Sequence, residues 1–165
     1  MADSTSLPSQ NFSIPTADHR AYADIPFVEF MKGVDMQLLQ VDVNAGLWVV
    51  RIRFAPGVTI PTHKHTGEVF ALTSSGSWQY LEYPEINLPG SYLFEPAGSV
   101  HTLHVPASNQ EITEAWFAIR GANLNLDERG EVTSVWDAGY IRETYLRLCR
   151  EAGHPAPPVL GIDHG

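Results

Sequence analysis

The segment Pro61-Thr62-His63-Lys64-His65 and the later segment Pro96-Ala97-Gly98-Ser99-Val100-His101 decide how this chain is interpreted. In an extended strand, the side chains at positions i and i+2 point to the same face. His63 and His65 therefore present two imidazoles side by side, while Lys64 points away. Neutral imidazole binds Zn, Fe, Ni and Cu, and three protein ligands with an open position are typical of a reactive metal site. The sequence predicts a metal centre that includes His63, His65 and His101.

Composition limits the classes of protein to which the chain can belong. Its 165 residues fit one domain, and 44% of them are hydrophobic, which is ordinary for a globular protein. The net charge of −9 is the opposite of what a phosphate-binding surface needs, so nucleic acid is not an expected partner. The sequence has no apolar run long enough to span a bilayer and no secretory signal at its N-terminus. No membrane partner is therefore expected. The single cysteine, Cys149, cannot form an internal disulfide and fits a reducing compartment, so a cytoplasmic location is expected.

Short apolar runs separated by turn residues fill most of the chain and predict strands. The run that ends at Phe54 is followed by Ala55-Pro56-Gly57, a turn signal. Its alternation places Arg51 and Arg53 on one face and puts four apolar residues on the other: Trp48, Val50, Ile52 and Phe54. The repeated pattern of strand and turn favours an antiparallel barrel or sandwich.

The two ends of the chain differ from this pattern. Residues 1–20 are rich in Ser, Thr, Asp and Pro and are expected to form a flexible or draped arm. Residues 21–165 are expected to form one all-β domain that carries a short C-terminal helix at about 140–152. The helix is predicted because Ile141, Tyr145 and Cys149 recur at helical spacing and Gly153 supplies a stop.

The two histidine segments, over residues 57–101, resemble the paired motifs of the cupin superfamily. The first runs from Gly57 to His65, and the second runs from Gly90 through Pro96 and Gly98 to His101. The resemblance implies a single-domain, jelly-roll-like antiparallel β-barrel in which the motif residues point inward onto one metal. Cupins usually place a glutamate three or four residues after the second histidine, followed by six residues and a glycine. Glu68 departs from that second spacing, and it is left open as a fourth ligand, an orienting partner of a ligand or an exposed residue.

A closer resemblance extends over most of residues 40–160. The segments that carry it are Leu93–His101, Ile119–Ala122, Leu126–Gly130, Val135–Asp137 and the pair Tyr145 and Cys149. They resemble the 2,4'-dihydroxyacetophenone dioxygenase group of cupins, with acetylacetone-cleaving dioxygenases as more distant relatives. The resemblance implies non-haem Fe(II) held by His63, His65 and His101. Because imidazole also accepts Zn and Ni, these metals are alternatives in the isolated protein. The resemblance further implies cleavage by O₂ of the bond between a ketone and its α-hydroxy carbon, or of a bond in a diketone.

Further residues are candidates for the surroundings of the metal. Glu95 precedes Pro96 and is a candidate to bind the metal or to orient a ligand histidine, although an exposed position is favoured for it. A surface position is favoured for Arg51 and Arg53, although an inward face would let one of them anchor a phenolate or carboxylate. The candidate walls of a substrate pocket are aromatic: Phe70, Trp78, Tyr80, Tyr92, Phe94 and Trp116.

Two other functions are open for a metal-binding cupin. One is a zinc-binding sensor or regulatory protein, and the other is an isomerase or lyase in which the metal only polarises a carbonyl. The leading prediction implies a small-molecule substrate and O₂ as partners. A homodimer or higher homo-oligomer is expected because a free barrel edge is often buried against a second copy.

Overall fold

The computed structural model describes residues 16–162, and almost all of its regular structure is strand. The predicted all-β class with one C-terminal helix is confirmed. Residues 1–15 of the predicted arm lie outside the described residues, and residues 16–20 have no regular structure. The elements are β1 (Val28–Met31), β2 (Val34–Asp42), β3 (Leu47–Phe54), β4 (His63–His65), β5 (Val69–Ser75), β6 (Trp78–Tyr80), β7 (Ile86–Asn87), β8 (Tyr92–Glu95), β9 (Val100–His101), β10 (Leu103–His104), β11 (Thr113–Arg120), β12 (Asn123–Leu126), β13 (Val132–Trp136) and α1 (Ala138–Glu151).

The strands form three antiparallel sheets. The largest has the order β1-β2-β3-β11-β5-β8, and the other two have the orders β10-β6-β7 and β13-β12-β4-β9. The inner faces of these sheets share one apolar core, which includes Trp48 and Val50 from β3 and Phe117 from β11. The short strand β4 lies between β12 and β9, so its inward side chains point into the same interior as this core. The four-stranded sheet therefore carries the polar site on an apolar scaffold.

Strand β3 alternates as its sequence predicts. Trp48, Val50 and Phe54 are buried, whereas Arg51 and Arg53 lie on the outer face of the sheet. Both arginines face Glu114 of β11, and Arg53 Nε lies 3.0 Å from a Glu114 carboxylate oxygen. Since these ion pairs are directed away from the interior, neither arginine is available to anchor a substrate there.

Four of the six predicted pocket aromatics also lie on this outer face. Glu95 is the inward residue at the end of β8, so the alternation of that strand turns Tyr92 and Phe94 outward. Tyr92 is 62% exposed. Phe70 pairs with Phe94 and Trp116 pairs with Arg51, which places them on the outer face as well. The prediction that these four form pocket walls is wrong, because the sequence shows the alternation of a strand but not which face is covered.

The C-terminal helix α1 begins two residues earlier than predicted. Asp137 caps it, since its Oδ1 accepts a hydrogen bond from the backbone N–H of Tyr140 at 2.8 Å. Ile141, Tyr145 and Cys149 form the buried face that packs on the barrel. Within residues 16–162, no helix is long and apolar enough to cross a membrane.

A tight turn after β4 holds the second histidine of the His-x-His segment in place. Thr66 exchanges two hydrogen bonds with Ala122, and Arg120 N–H donates to the carbonyl of Glu68 at 2.9 Å. A Cβ on Gly67 would lie 2.4 Å from the Arg120 carbonyl oxygen, which is a backbone atom that cannot rotate away. Only glycine therefore lets the turn approach β11 this closely.

The Gly67→Ala variant is expected to lose about 1–3 kcal/mol of unfolding free energy, since the inserted methyl group must push two backbone segments apart. Denaturant unfolding of the metal-free protein measures the loss. The matched control is Gly130→Ala, where an added Cβ meets nothing within 4 Å and only the positive φ of 81° is unfavourable. A Gly67→Ala protein no less stable than the control would contradict the steric account.

One edge of the largest sheet has no partner among the described residues. Strand β8 pairs only with β5, and its side chains Tyr92 and Phe94 are exposed beside Leu72. Residues 86–100 carry a single charged side chain, Glu95, and it is buried. Because each copy has a net charge of −9, two copies repel each other least where neither exposes charge, and the β8 edge is such a surface. The homo-oligomer itself stays a prediction.

Candidate metal centre

Three imidazoles meet in the interior of the barrel. His63, His65 and His101 are at most 5% exposed, and their ring centroids lie 4.8–5.0 Å apart. One ligand nitrogen from each ring can be chosen so that all three lie within 4.8 Å of one another. The three rings are therefore close enough for one metal ion to contact a nitrogen of each.

The register of the four-stranded sheet brings these rings together. His63 pairs directly with His101 on β9, so their side chains project from the same face. His65 follows at i+2 on that face, while Lys64 is exposed on the other. Backbone hydrogen bonds tie His65 to the turn before β9, since His65 N–H donates to Ser99 O and Gly98 N–H donates to His65 O. The Pro-Ala-Gly turn thus fixes the distance between the two histidine segments.

Glu95 completes the cluster with a carboxylate. Its Oε2 lies 2.9 Å from His65 Nε2 and 3.1 Å from His101 Nε2, and the residue is 3% exposed. Its Oε1 accepts a hydrogen bond of 2.5 Å from the Tyr80 hydroxyl. Tyr80 also stacks on His101, with 3.7 Å between ring centroids. Of the two carboxylates predicted near the metal, the structure brings Glu95 to the histidines.

Glu68 lies outside the cluster. Its side chain is exposed, and the inward positions of the following strand begin at Val69. Because neighbouring strand residues face opposite sides, a residue directly before an inward valine points outward. The one-residue departure from the cupin spacing thus removes Glu68 from the interior, whereas Glu95 reaches the same interior from β8.

The protonation of the cluster suits a cation. Burial and the neighbouring His65 lower the pKa of His63 to about 4, so this imidazole is neutral near pH 7. His63 Nδ1–H donates to the Pro61 carbonyl at 2.8 Å, which leaves the Nε2 lone pair free. Although burial acts to raise it, the adjacent imidazoles of His101 and His65 hold the pKa of Glu95 at about 2. The cluster therefore presents a free imidazole lone pair and an ionised carboxylate.

Buried polar atoms without hydrogen-bond partners support a metal at this place. Glu95 Oε2 and His101 Nε2 are both buried, and although they lie 3.1 Å apart, neither has a hydrogen-bond partner among the described residues. Unpaired buried polar atoms are costly, and a cation between them would satisfy both. Three imidazole nitrogens and one carboxylate oxygen are a donor set that Fe(II), Zn and Ni accept. The residues present fit a divalent first-row metal, and the donor set does not choose among these metals.

Tyr80→Phe is expected to weaken metal binding by about tenfold, because partners that hold a ligand in place typically contribute 10–100-fold to metal affinity. The variant keeps the ring that stacks on His101 and removes only the hydroxyl that donates to Glu95. Competition with a chromogenic chelator measures the change. Tyr83→Phe is the control, since Tyr83 is exposed and lies outside the cluster. Equal metal affinity in the Tyr80→Phe and wild-type proteins would show that the hydrogen bond does not hold the carboxylate.

A cavity of about 80 Å³ adjoins the cluster. Its polar lining residues are His63, His65, Tyr80, Glu95 and Asn123. The rest of the lining is aliphatic, aromatic or thioether: Phe30, Met31, Val34, Met36, Trp48, Val50, Ile52, Phe54, Ile60, Leu103, Phe117, Ile119, Trp136 and Ile141. An apolar cavity with its polar groups gathered at one end suits a small, mostly apolar molecule whose polar end faces the metal.

Of the predicted pocket residues, only Tyr80 lines this cavity. Trp78 is fully buried, but its indole N–H donates to Thr73 Oγ1 at 2.9 Å and it packs in the core beyond the lining. Sequence reasoning missed Phe30, Trp136 and Asn123. The alternation Asn123-Leu-Asn125-Leu could have identified β12, because two polar residues on one face of a strand next to apolar runs indicate a polar interior.

Comparisons with known proteins agree with this fold. A family model described as the ChrR cupin-like domain matches residues 17–122. A crystal structure of a protein of unknown function with a cupin-like fold, from Ralstonia eutropha JMP134, is 33% identical. It covers 90% of this chain and 98% of its own, with a TM-score of 0.78. No curated protein matches the sequence.

Two further solved structures share the fold at lower identity. An RmlC-like cupin from the same Ralstonia strain is 22% identical over 90% of this chain and 96% of its own, with a TM-score of 0.82. An acetylacetone dioxygenase from Acinetobacter johnsonii is 16% identical over 84% of this chain and 99% of its own, with a TM-score of 0.69. At these identities the likeness supports the cupin fold alone.

Proposed function

This chain belongs to the ChrR cupin-like domain family of the cupin superfamily, and from that membership and its buried cluster we propose that it is a non-haem iron dioxygenase. The proposed substrate is a small hydroxyketone or diketone in which O₂ breaks a carbon–carbon bond. The observation that carries the proposal is the buried three-histidine cluster, of which His63 and His65 line a mostly apolar cavity. The acetylacetone dioxygenase fold is in keeping with it.

The residues of the chain have defined tasks in this proposal. His63, His65 and His101 would hold the metal, and Glu95 Oε2 lies within 3.1 Å of a nitrogen of His65 and of a nitrogen of His101. Bound Fe(II) would supply Lewis acidity towards the substrate oxygens and the electron chemistry with O₂. Tyr80 orients the carboxylate, and the apolar lining keeps water from the substrate.

The reaction is balanced without a further reductant. A hydroxyketone R–CO–CH₂OH and O₂ together contain all the atoms of R–COOH and HCOOH. The bond between the carbonyl carbon and the hydroxyl-bearing carbon breaks, and each of these carbons gains one oxygen atom from O₂. The substrate supplies all four electrons that reduce O₂. The reaction therefore needs no reactant or cofactor other than the metal, the ketone and O₂.

The test is oxygen uptake by protein that has been reconstituted anaerobically with Fe(II). We expect uptake with at least one member of a panel of small α-hydroxyketones and β-diketones, in a one-to-one ratio with the cleaved substrate. The Zn(II)-loaded protein and the His101→Ala variant are the controls, and neither should consume oxygen. Substrate conversion without oxygen uptake would replace the proposal with an isomerase or lyase. If the Fe(II) protein neither converts any compound of the panel nor consumes oxygen, the proposal is wrong for these two substrate classes.

A further inference from the structure

Asn123 is a buried polar side chain that faces the cavity without a partner. It is 8% exposed, it lines the cavity, and its Oδ1 is buried with no hydrogen bond within residues 16–162. A buried amide oxygen usually has a partner, because burial removes its hydrogen bonds to water. Because this unpaired amide also lines the cavity, it points to a partner that is bound only at times, namely a ligand.

The sheet register places Asn123 beside the metal centre. Asn123 pairs with His65 on β4 on one side and with Trp136 on β13 on the other. Paired residues share a face of the sheet, and neighbouring strands lie about 4.8 Å apart. The three side chains form a row on the inner face that runs from a histidine of the cluster through the amide to the indole. A ligand bound at the histidines and extending towards Trp136 would pass along Asn123.

Trp136 is the most exposed member of this row, since Asn123 and His65 are both buried. Trp136 is half-buried and packs edge-on against Phe30, with ring centroids 5.2 Å apart. Phe30 and Met31 on β1 are half-buried lining residues as well. Asn123 therefore lies between this aromatic rim and the buried histidines. An apolar group of the ligand would rest on the rim while its oxygens reach the amide and the cluster.

The second asparagine on the same strand offers a comparison. Asn125 pairs with His63, faces the same side of the sheet and is 4% exposed. Its amide nitrogen donates to Ser134 Oγ at 3.0 Å, its Oδ1 is buried and unpaired like that of Asn123, and the residue does not line the cavity. The two asparagines thus share strand, face and burial, but only Asn123 faces the space in which a ligand would lie.

We propose that Asn123 orients the substrate by accepting a hydrogen bond from a substrate hydroxyl, and so favours hydroxyketones over β-diketones. This inference rests on the proposed function. A hydroxyketone offers an O–H donor next to a carbonyl acceptor, and the amide has an acceptor and donors to match. A β-diketone bound as its enolate has acceptors only, so the Asn123 carbonyl oxygen would stay unpaired. Sites that contain a buried hydrogen-bonding group reject ligands that cannot pair with it.

The experiment measures binding rather than turnover. The Zn(II)-loaded protein is titrated with 2-hydroxyacetophenone, with acetophenone, which lacks the hydroxyl, and with the β-diketone benzoylacetone, and tryptophan fluorescence is the readout. Asn123→Leu keeps a side chain of similar size without hydrogen-bonding atoms, and Asn125→Leu is the matched control. Thermal unfolding of both variants shows whether they fold.

We expect Asn123→Leu to raise the Kd of 2-hydroxyacetophenone about tenfold and to change the other two by less than about twofold. The control should leave the ratio of the three affinities unchanged. Equal losses for all three ligands, an unchanged ratio in Asn123→Leu, or no binding of 2-hydroxyacetophenone to the wild-type protein would overturn the assignment. Absence of oxygen uptake by the Fe(II) protein, with the selective loss still present, would reject the dioxygenase and leave Asn123 as a ligand-orienting residue.

If both leucine variants unfold, Asn123→Ser replaces them, because serine keeps a shorter hydroxyl acceptor. This variant is expected to retain part of the preference for 2-hydroxyacetophenone. Loss of the whole preference would count against the assignment.

Discussion

Replacing His101 with alanine is expected to lower the affinity of the protein for Fe(II) or Zn(II) by on the order of 100-fold or more. Loss of a partner that merely orients a ligand already costs about 10–100-fold, and His101 supplies a nitrogen of the cluster itself. The truncation also leaves Glu95 Oε2 without one of its two neighbouring imidazoles. Chelator competition and metal analysis of the dialysed protein measure the affinity and the stoichiometry.

His104→Ala is the matched control for this variant. His104 lies three residues further along, on β10, and its Nδ1 is hydrogen-bonded to Thr59 Oγ1 at 2.8 Å, away from the cluster. We expect this control to bind one metal per chain with the wild-type affinity. If His101→Ala did so as well, the three-histidine centre would be wrong.

Thermal unfolding gives a second measure of the same loss. A ligand that binds only the folded state at 100 times its Kd adds about 2.7 kcal/mol of stability. Added metal should therefore raise the Tm of the wild-type protein and of His104→Ala, and should hardly change that of His101→Ala. The comparison is made within each variant, with and without metal. The separate effect of the small cavity left by the truncated imidazole thus cancels.

The histidine site could be predicted because its signal is local. His63 and His65 share a face through the period of a strand, and the Pro-Ala-Gly turn that positions His101 is contiguous in sequence. The fold class could be predicted for the same reason, since Arg51 and Arg53 alternate with apolar residues along β3. These patterns depend on neighbours within a few residues.

The pocket walls could not be predicted, because they depend on which face of each strand the rest of the chain covers. Phe94 and Glu95 are neighbours on β8, and the carboxylate points inward while the aromatic ring points outward. Hydrophobicity alone would favour the reverse arrangement. Only the pairing with β5, which places Glu95 opposite Val69, fixes the direction. Asn123 was missed for a similar reason, because its position beside His65 arises from pairing between strands far apart in sequence.

Glu95→Gln is expected to weaken metal binding by about 10–100-fold, or about 1.4–2.7 kcal/mol. The amide keeps the size of the side chain and can still accept the hydrogen bond from Tyr80, so the change removes little except the negative charge. That charge lies within 3.1 Å of two cluster nitrogens in a site shielded from solvent. An anionic oxygen is a stronger ligand for a divalent cation than an amide oxygen. Chelator competition with Glu68→Gln as control measures the difference, since Glu68 is exposed and its charge should hardly matter.

The pH dependence of this difference follows from the pKa of Glu95. At about 2 it lies below the ordinary value of 4.5, so the carboxylate stays ionised throughout the range from about pH 5 to 8. The ratio of wild-type to Glu95→Gln affinities should therefore be constant over that range. In the metal-free protein, the depressed pKa contributes stability that is complete above about pH 4.5 and is lost as the pH falls towards 2. The stability difference between the two proteins should shrink over that same interval. A ratio that instead falls steeply between pH 8 and 5 would show that Glu95 is protonated near neutrality and is not the anionic member of the cluster.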